Sequence, residues 1–141
     1  RDWLPDAIGG VYWVYLDNPY FSPYVPIYAG VTETAECYRI YHPDQYSDQS
    51  ARWTIDFVDN LAGLRFQQAV EVVRSVRDPW EAHIFSRQDS IETEAAKRFK
   101  KNPNAGRAFL TRYCMDLQQQ VPGRFIRLRE TLINQFTNNR E

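Results

Sequence analysis

The chain has 141 residues, 43% of them apolar and 25% charged, with a net charge of −1. Those proportions belong to a globular chain able to bury a core, and they exclude overall disorder and a small disulfide-stapled scaffold. Near-neutrality argues against a general nucleic-acid binder, and no apolar run approaches the roughly 18 residues of a membrane span.

Charge and aromatics are unevenly spread. Residues 1–50 carry 2 basic and 7 acidic side chains, whereas residues 51–141 carry 15 and 11. Eight of the nine tyrosines and five of the eight prolines lie in the first 46 residues. Two kinds of structure are joined: a β unit over residues 1–46 and a helical layer over 47–141.

The elements follow in chain order. Residues 8–16, IGGVYWVYL, read as a strand with two apolar faces, which suits a strand covered on both sides. DNPY at 17–20 is a turn signal. Residues 24–31 form a second extended segment, in which Pro26 demands an edge or a bulge. A third short piece runs from Cys37 to Tyr41, before a polar loop. From Ser50, an N-cap residue, the spacing of Trp53, Phe57, Leu61, Leu64, Ala69, Val72 and Val76, widened by Val58, Phe66, Val70 and Val73, predicts a helix of about 27 residues and a length of roughly 40 Å.

Asp78-Pro79-Trp80-Glu81 then predicts a new helix start, with Asp78 as cap and Pro79 at the first position. Its apolar face is Trp80, Ile84, Ile91, Ala95 and Phe99. Asn102-Pro103-Asn104 separates it from a third helix, 105–120, carrying Phe109, Tyr113 and Leu117. Pro122-Gly123 predicts a break or kink before a fourth, carrying Phe125, Leu128, Leu132 and Phe136. The tail TNNRE has little reason to be ordered. The fold class is α+β: two or three strands followed by three or four antiparallel helices. Two or three strands are marginal alone, so the sheet is expected to continue in strands outside this chain.

Chemistry is sparse. Cys37 and Cys114 lack metal-site spacing, and free cysteines are most often buried and idle; the sequence leaves a disulfide between them open. His42 and His83 are isolated, and His83 suits a helix flank. Glu81, Glu92 and Glu94 read as solvated helix charges, and Arg98-Phe99-Lys100-Lys101 as a helix end that favours the dipole. No nucleotide-binding or nucleophile-elbow motif is present. No catalytic residue, metal site or cofactor is assigned.

The stretch LPDAIGGVYWVYLDNPYFSPYVPIYAGVTETAECYRIY, followed in order by SARWTIDFVDNLA, PWE and NPNAGRAFLTRYC, resembles the C-terminal region of the cysteine dipeptidases of the N-terminal-nucleophile hydrolase superfamily, the bacterial relatives of secernin. The resemblance spans roughly residues 3–136. It implies a C-terminal fragment of a four-layer αββα sandwich. It also implies dipeptide hydrolysis by a cysteine at the mature N-terminus, whose free α-amino group serves as base, without metal or cofactor. This chain starts at Arg1, and placing a terminus at Cys37 would cut the β unit, so no residue here takes the nucleophile's role. The expected parent is a bacterial enzyme of cytoplasm or periplasm, with no nucleic-acid or membrane partner. The chain's partners are the N-terminal part of the same dipeptidase and, in the intact enzyme, a dipeptide substrate, with a homo-oligomer left open. Alone, the chain is expected to be inactive and to self-associate through unpaired strand edges.

Five residues are candidates for contact with a dipeptide. Tyr20, Ser22, Tyr24 and Tyr28 offer hydroxyls or an aromatic wall, and Gly30 permits close backbone approach; the alternative is that they only shape a turn and pack. Two other functions stay open: a non-enzymatic helical interaction module, and a small peptide- or carbohydrate-binding domain using the tyrosine cluster.

Overall fold

A computed structural model describes residues 2–138. A single helical turn, α1 (Asp6–Gly9), precedes two strands, β1 (Val11–Val14) and β2 (Val25–Tyr28), and a 3₁₀ turn at Glu36–Tyr38. Three helices follow: α2 (Ala51–Ala62), α3 (Phe66–Lys101) and α4 (Pro103–Asn138). The fold is therefore α+β, a two-stranded antiparallel sheet packed on helices.

The first strand is shorter than its apolar run predicts. Ile8 is fully buried, but in α1, where the Ile8 and Gly9 amides both donate to the Pro5 carbonyl. Cys37–Tyr41 is not a strand. The Tyr38 amide bonds back to Ala35, and the Arg39 and Ile40 amides bond back to Glu36, which closes the segment into 3₁₀ geometry. Pro26 does lie on an edge strand, opposite Trp13.

The strand register fixes where backbone groups point. The pairs are Val11–Tyr28, Tyr12–Ile27, Trp13–Pro26 and Val14–Val25. One step earlier, the Ala29 amide donates to the Gly10 carbonyl at 2.8 Å. Bonded and non-bonded pairs alternate in an antiparallel ladder. Tyr12–Ile27 and Val14–Val25 are thus bonded pairs, and Pro26 occupies a position where no donor is needed.

The helices depart from the local signals at three places. The helix opened by Ser50, whose hydroxyl accepts from the Trp53 amide at 3.3 Å, stops at Ala62 instead of running on to Val76. Val58 is buried as expected, but the rest of the helix's buried stripe is Ala51, Thr54, Ile55 and Ala62, while Trp53, Phe57 and Leu61 are only half-buried and Leu64 is 73% exposed.

Asp78-Pro79 starts no helix: α3 runs straight through it. Proline in a helix interior forfeits a hydrogen bond and costs ~3 kcal/mol. Here Val73 on one side of Pro79 and Trp80 and Ile84 on the other are buried, Arg124 lies 4.3 Å over the Trp80 ring, and the carbonyl Pro79 leaves free belongs to exposed Ser75. Burial on both flanks outweighs the local break.

Pro122 is likewise inside a continuous α4, so the predicted third and fourth helices are one. It cannot donate to the carbonyl of Gln118. That carbonyl instead accepts the Cys37 thiol at 3.4 Å. Asn102-Pro103 does separate α3 from α4, with the Asn102 side chain accepting from the Asn104 amide at 3.0 Å. Gly106 is required just beyond, since a Cβ there would lie 2.7 Å from that of Phe99. α4 reaches Asn138, so Thr137 and Asn138 of the tail are helical; the rest lies outside the described residues.

Two apolar clusters fill the interior. One joins α2, α3 and α4 to Phe21 and Val25. The other joins Leu4, Ile8 and Tyr28 to Ile91, Ala95, Leu110 and Cys114. Each takes side chains from the β unit and the helices alike. Cys37 and Cys114 are free thiols, not a disulfide.

The Cys37 contact is testable. Cys37→Ala should destabilise the fold by about 1–2 kcal/mol, because it leaves a carbonyl deprived of its helical donor without a partner. Cys37→Ser should cost less. In a Pro122→Ala background, where an amide again reaches Gln118, the cost of Cys37→Ala should shrink; equal costs in both backgrounds, measured by urea denaturation, would rule the coupling out.

Candidate functional site

The turn 17–23 is built by its own polar side chains. Asp17 has φ 62°, a left-handed conformation that Asp tolerates better than most residues. The Asn18 side chain accepts from the Tyr20 amide at 2.9 Å, and its carbonyl accepts from the Phe21 and Ser22 amides. Asn18 Nδ2 donates to Asp59 at 2.9 Å, fastening the turn to α2. Phe21 drops into the core against Phe66 and Tyr20.

The five residues singled out in the sequence divide sharply. Tyr20 is on the surface. Its hydroxyl accepts from Arg74 at 2.9 Å, its carbonyl accepts from Arg77, and the Arg74 guanidinium lies 5.3 Å above its ring. Tyr24 is half-buried, its ring 5.3 Å from that of Tyr15 and its amide donating to Glu81 at 2.9 Å. The other three lie inside. The Ser22 hydroxyl accepts from the Leu16 amide at 2.9 Å and donates to the Pro23 carbonyl at 3.2 Å. The Tyr28 hydroxyl donates to Glu92 at 3.3 Å, and burial, then the adjacent Glu92, push its pKa far above the phenolic range. Gly30 does permit close approach, but to this chain: its amide donates to the Ala7 carbonyl, and a Cβ would stand 2.8 Å from that oxygen.

Two of the three glutamates are not the solvated charges their positions suggest. Glu92 is buried and accepts from Gln88 as well as Tyr28. Glu81 receives the Tyr24 amide beside Arg77, 4.0 Å away. Glu94 pairs with Arg98 at 2.8 Å on the helix surface, as a helix charge should. His83 is exposed.

Neither thiol is activated. Burial raises the pKa of Cys37 and pushes that of Cys114 up to about 11. A thiolate nucleophile needs the opposite environment.

A cleft that the sequence reading missed lies on the outer side of α2. It encloses about 290 Å³ between Tyr46, Trp53, Asp56, Phe57, Asn60 and Leu61. Trp53 Nε1 donates to the His42 carbonyl at 3.0 Å, and Arg129 of α4 bonds Tyr46 and Asp48 while lying 5.2 Å over Phe57. Arg129 and Tyr46 together hold the Asp48 carboxyl below its ordinary pKa; burial and the bond to Asp48 push the Tyr46 phenol up to about 12. The signal was present as Trp53 and Phe57 one turn apart, but it was absorbed into the core stripe.

Asp56 belongs to both this cleft and an acidic group. Oxygens of Asp17, Asp56 and Asp59 lie within 4.8 Å of one another. Three donors fall short of the six to eight oxygens that calcium takes, and an Asp59 oxygen is already bonded to Asn18. The geometry does raise the pKa of Asp56, through burial first and then Asp17 and Asp59.

Residues 1–78 match peptidase family C69. The chain belongs to that family. The match covers the β unit, α2 and the start of α3, including all five candidate residues. Probable dipeptidase B of Streptococcus pyogenes serotype M1 is 21% identical over 142 residues, an alignment covering 98% of this chain and 28% of that protein. Probable dipeptidase B of the serotype M6 strain ATCC BAA-946 / MGAS10394 is also 21% identical, over 94% of this chain and 26% of the relative. The chain thus spans little more than a quarter of the relatives it matches. No solved structure matches it significantly. Among the described residues no helix is long and apolar enough to cross a membrane.

Asp56→Asn should stabilise the fold at pH 7 by about a few tenths of a kcal/mol at most, since the group is only partly buried and solvent screens its neighbours. A carboxyl whose folded pKa is raised costs stability once it ionises. The gain should therefore be absent below the ordinary Asp pKa and open as pH rises through the interval up to the raised value. Denaturant midpoints at pH 3 and pH 7 check it; a gain that is larger at pH 3 would contradict the assignment.

Proposed function

We propose that this chain is the C-terminal part of a cysteine dipeptidase. In this reading it contributes strands and a helical layer, while the catalytic cysteine, at a mature N-terminus, lies outside the 141 residues. The observation that carries the reading is the alignment of almost the whole chain with a quarter of proteins named as probable dipeptidases, within a peptidase family. The chemistry of the chain agrees with it. Both thiols are held protonated by burial, and the carboxylate nearest in kind to a buried base, Glu92, already accepts from Tyr28 and Gln88.

Within that enzyme the chain's part is structural, with Tyr20 and Tyr24 available to line the pocket. Ser22, Tyr28 and Gly30 shape the unit that carries them, through bonds to Leu16, Glu92 and Ala7. The partners are the rest of the polypeptide and a dipeptide. A pure 141-residue chain should hydrolyse no dipeptide, and the intact polypeptide should. Cys37→Ala and Cys114→Ala in the intact enzyme should leave kcat within about 2-fold, because neither thiol takes part in acyl transfer. Hydrolysis by the 141-residue chain, abolished by Cys37→Ala, would overturn the reading.

The cleft at Trp53 favours a second reading, a peptide-binding surface, because aromatic walls beside a carboxylate suit an amine-bearing ligand. Titrating the chain with short peptides while following Trp fluorescence tests it. A saturable change lost in Trp53→Phe supports it, and a flat titration sinks it.

A further inference from the structure

We propose that β1 accepts another strand along its outer edge, supplied by the remainder of the dipeptidase polypeptide; the occupant rests on the function proposed above, the edge does not.

The sheet's two edges differ in kind. The ladder alternation that makes Tyr12 and Val14 bond to β2 turns the amides and carbonyls of Val11 and Trp13 away from it. Among the described residues these groups have no hydrogen-bond partner. The β2 edge is sealed. The Tyr24 amide is taken by Glu81, Pro26 has no donor, and the Tyr28 carbonyl accepts from the Val31 amide, with Tyr28 itself buried beside Cys114 of α4. A strand can therefore join only at β1.

The sheet face supports the same occupant. Trp13 stacks on Phe85 of α3 with ring centroids 4.3 Å apart, and Tyr28 is buried against α3 and α4. On the opposite face Val25 is buried in the core, but at its other end Tyr12 is 73% exposed beside half-buried Ile27. A second copy pairing edge to edge would give a four-stranded ribbon and leave the Tyr12–Ile27 end of this face in water. The larger part of a relative's length, the 72% outside the matched 28%, is enough chain to pair the edge and cover the face together. An uncovered edge with two free donors is also a standing aggregation hazard, which pairing removes.

The test is residue-resolved amide exchange on the intact polypeptide, assayed in parallel for dipeptide hydrolysis. The Val11 and Trp13 amides should exchange at least about 100-fold slower than their intrinsic rates, with through-space contacts to amides of an extended segment outside these 141 residues. Tyr12 and Val14 are the internal control, since β2 already protects them. Free exchange at Val11 and Trp13 in an active enzyme overturns the edge and leaves the functional reading standing. Protection in a polypeptide without dipeptidase activity supports the edge and sinks the functional reading. Protection that vanishes on dilution, with a dimer seen in sedimentation, overturns the occupant in favour of a second copy.

Discussion

One face of α4 supplies the polar partners that the backbone of residues 32–35 would otherwise lack. Thr111 receives the Thr32 amide at 3.0 Å and Gln118 the Ala35 amide at 2.6 Å, with Cys114 between them buried against Tyr28. These residues follow one another at three- and four-residue steps and so share a stripe. Buried amides must be paired, and beyond β2 the chain no longer runs as a strand that could pair them. Away from Pro122, α4 cannot offer its backbone, which is spent internally, so it offers side chains at helical spacing. The rest of the arrangement depends on this contact. It holds β2 against the α3–α4 hairpin, and β2 holds β1.

The same contact gives the sheet its asymmetry. Because α4 and Glu81 occupy one side of β2, the pair of strands has one closed edge and one open edge. Pro26 strengthens the difference at no cost, since its missing donor falls on the closed side. The Gln118 side chain and main chain act together: the amide oxygen takes Ala35, while the carbonyl freed by Pro122 takes the Cys37 thiol. A proline that reads locally as a helix break thus creates an acceptor, and a cysteine that reads as idle satisfies it.

Much of this was legible in the sequence, and the failures have physical causes. The apolar spacing of Trp80, Ile84, Ile91 and Ala95, and of Phe125, Leu128 and Leu132, names side chains that are buried. Burial of a wide stripe is a strong signal because many residues repeat it. Pro79 and Pro122 misled because their local cost of ~3 kcal/mol is smaller than the burial that flanks them. On α2 the large aromatics drew attention away from Ala51, Thr54 and Ala62, the residues small enough to let the helix approach. Cys37–Tyr41 looked extended because nothing in its composition reveals that Glu36 will collect two amides.

The tyrosine-rich portion shows where reading by residue type stops. A hydroxyl beside proline looks available in sequence, yet availability depends on what the fold brings within 3 Å of it. Glu92 is 64 positions from Tyr28, and Arg74 is 54 from Tyr20, so no local pattern announces either bond. Both hydroxyls are used internally, and their rings pack or stack. What the two strands leave unsatisfied is backbone: the outward groups of Val11 and Trp13. An unpaired main-chain donor needs no particular residue type, so it is invisible to composition and motif alike. It becomes visible only once the register is known, because the alternation of the ladder decides which groups face outward.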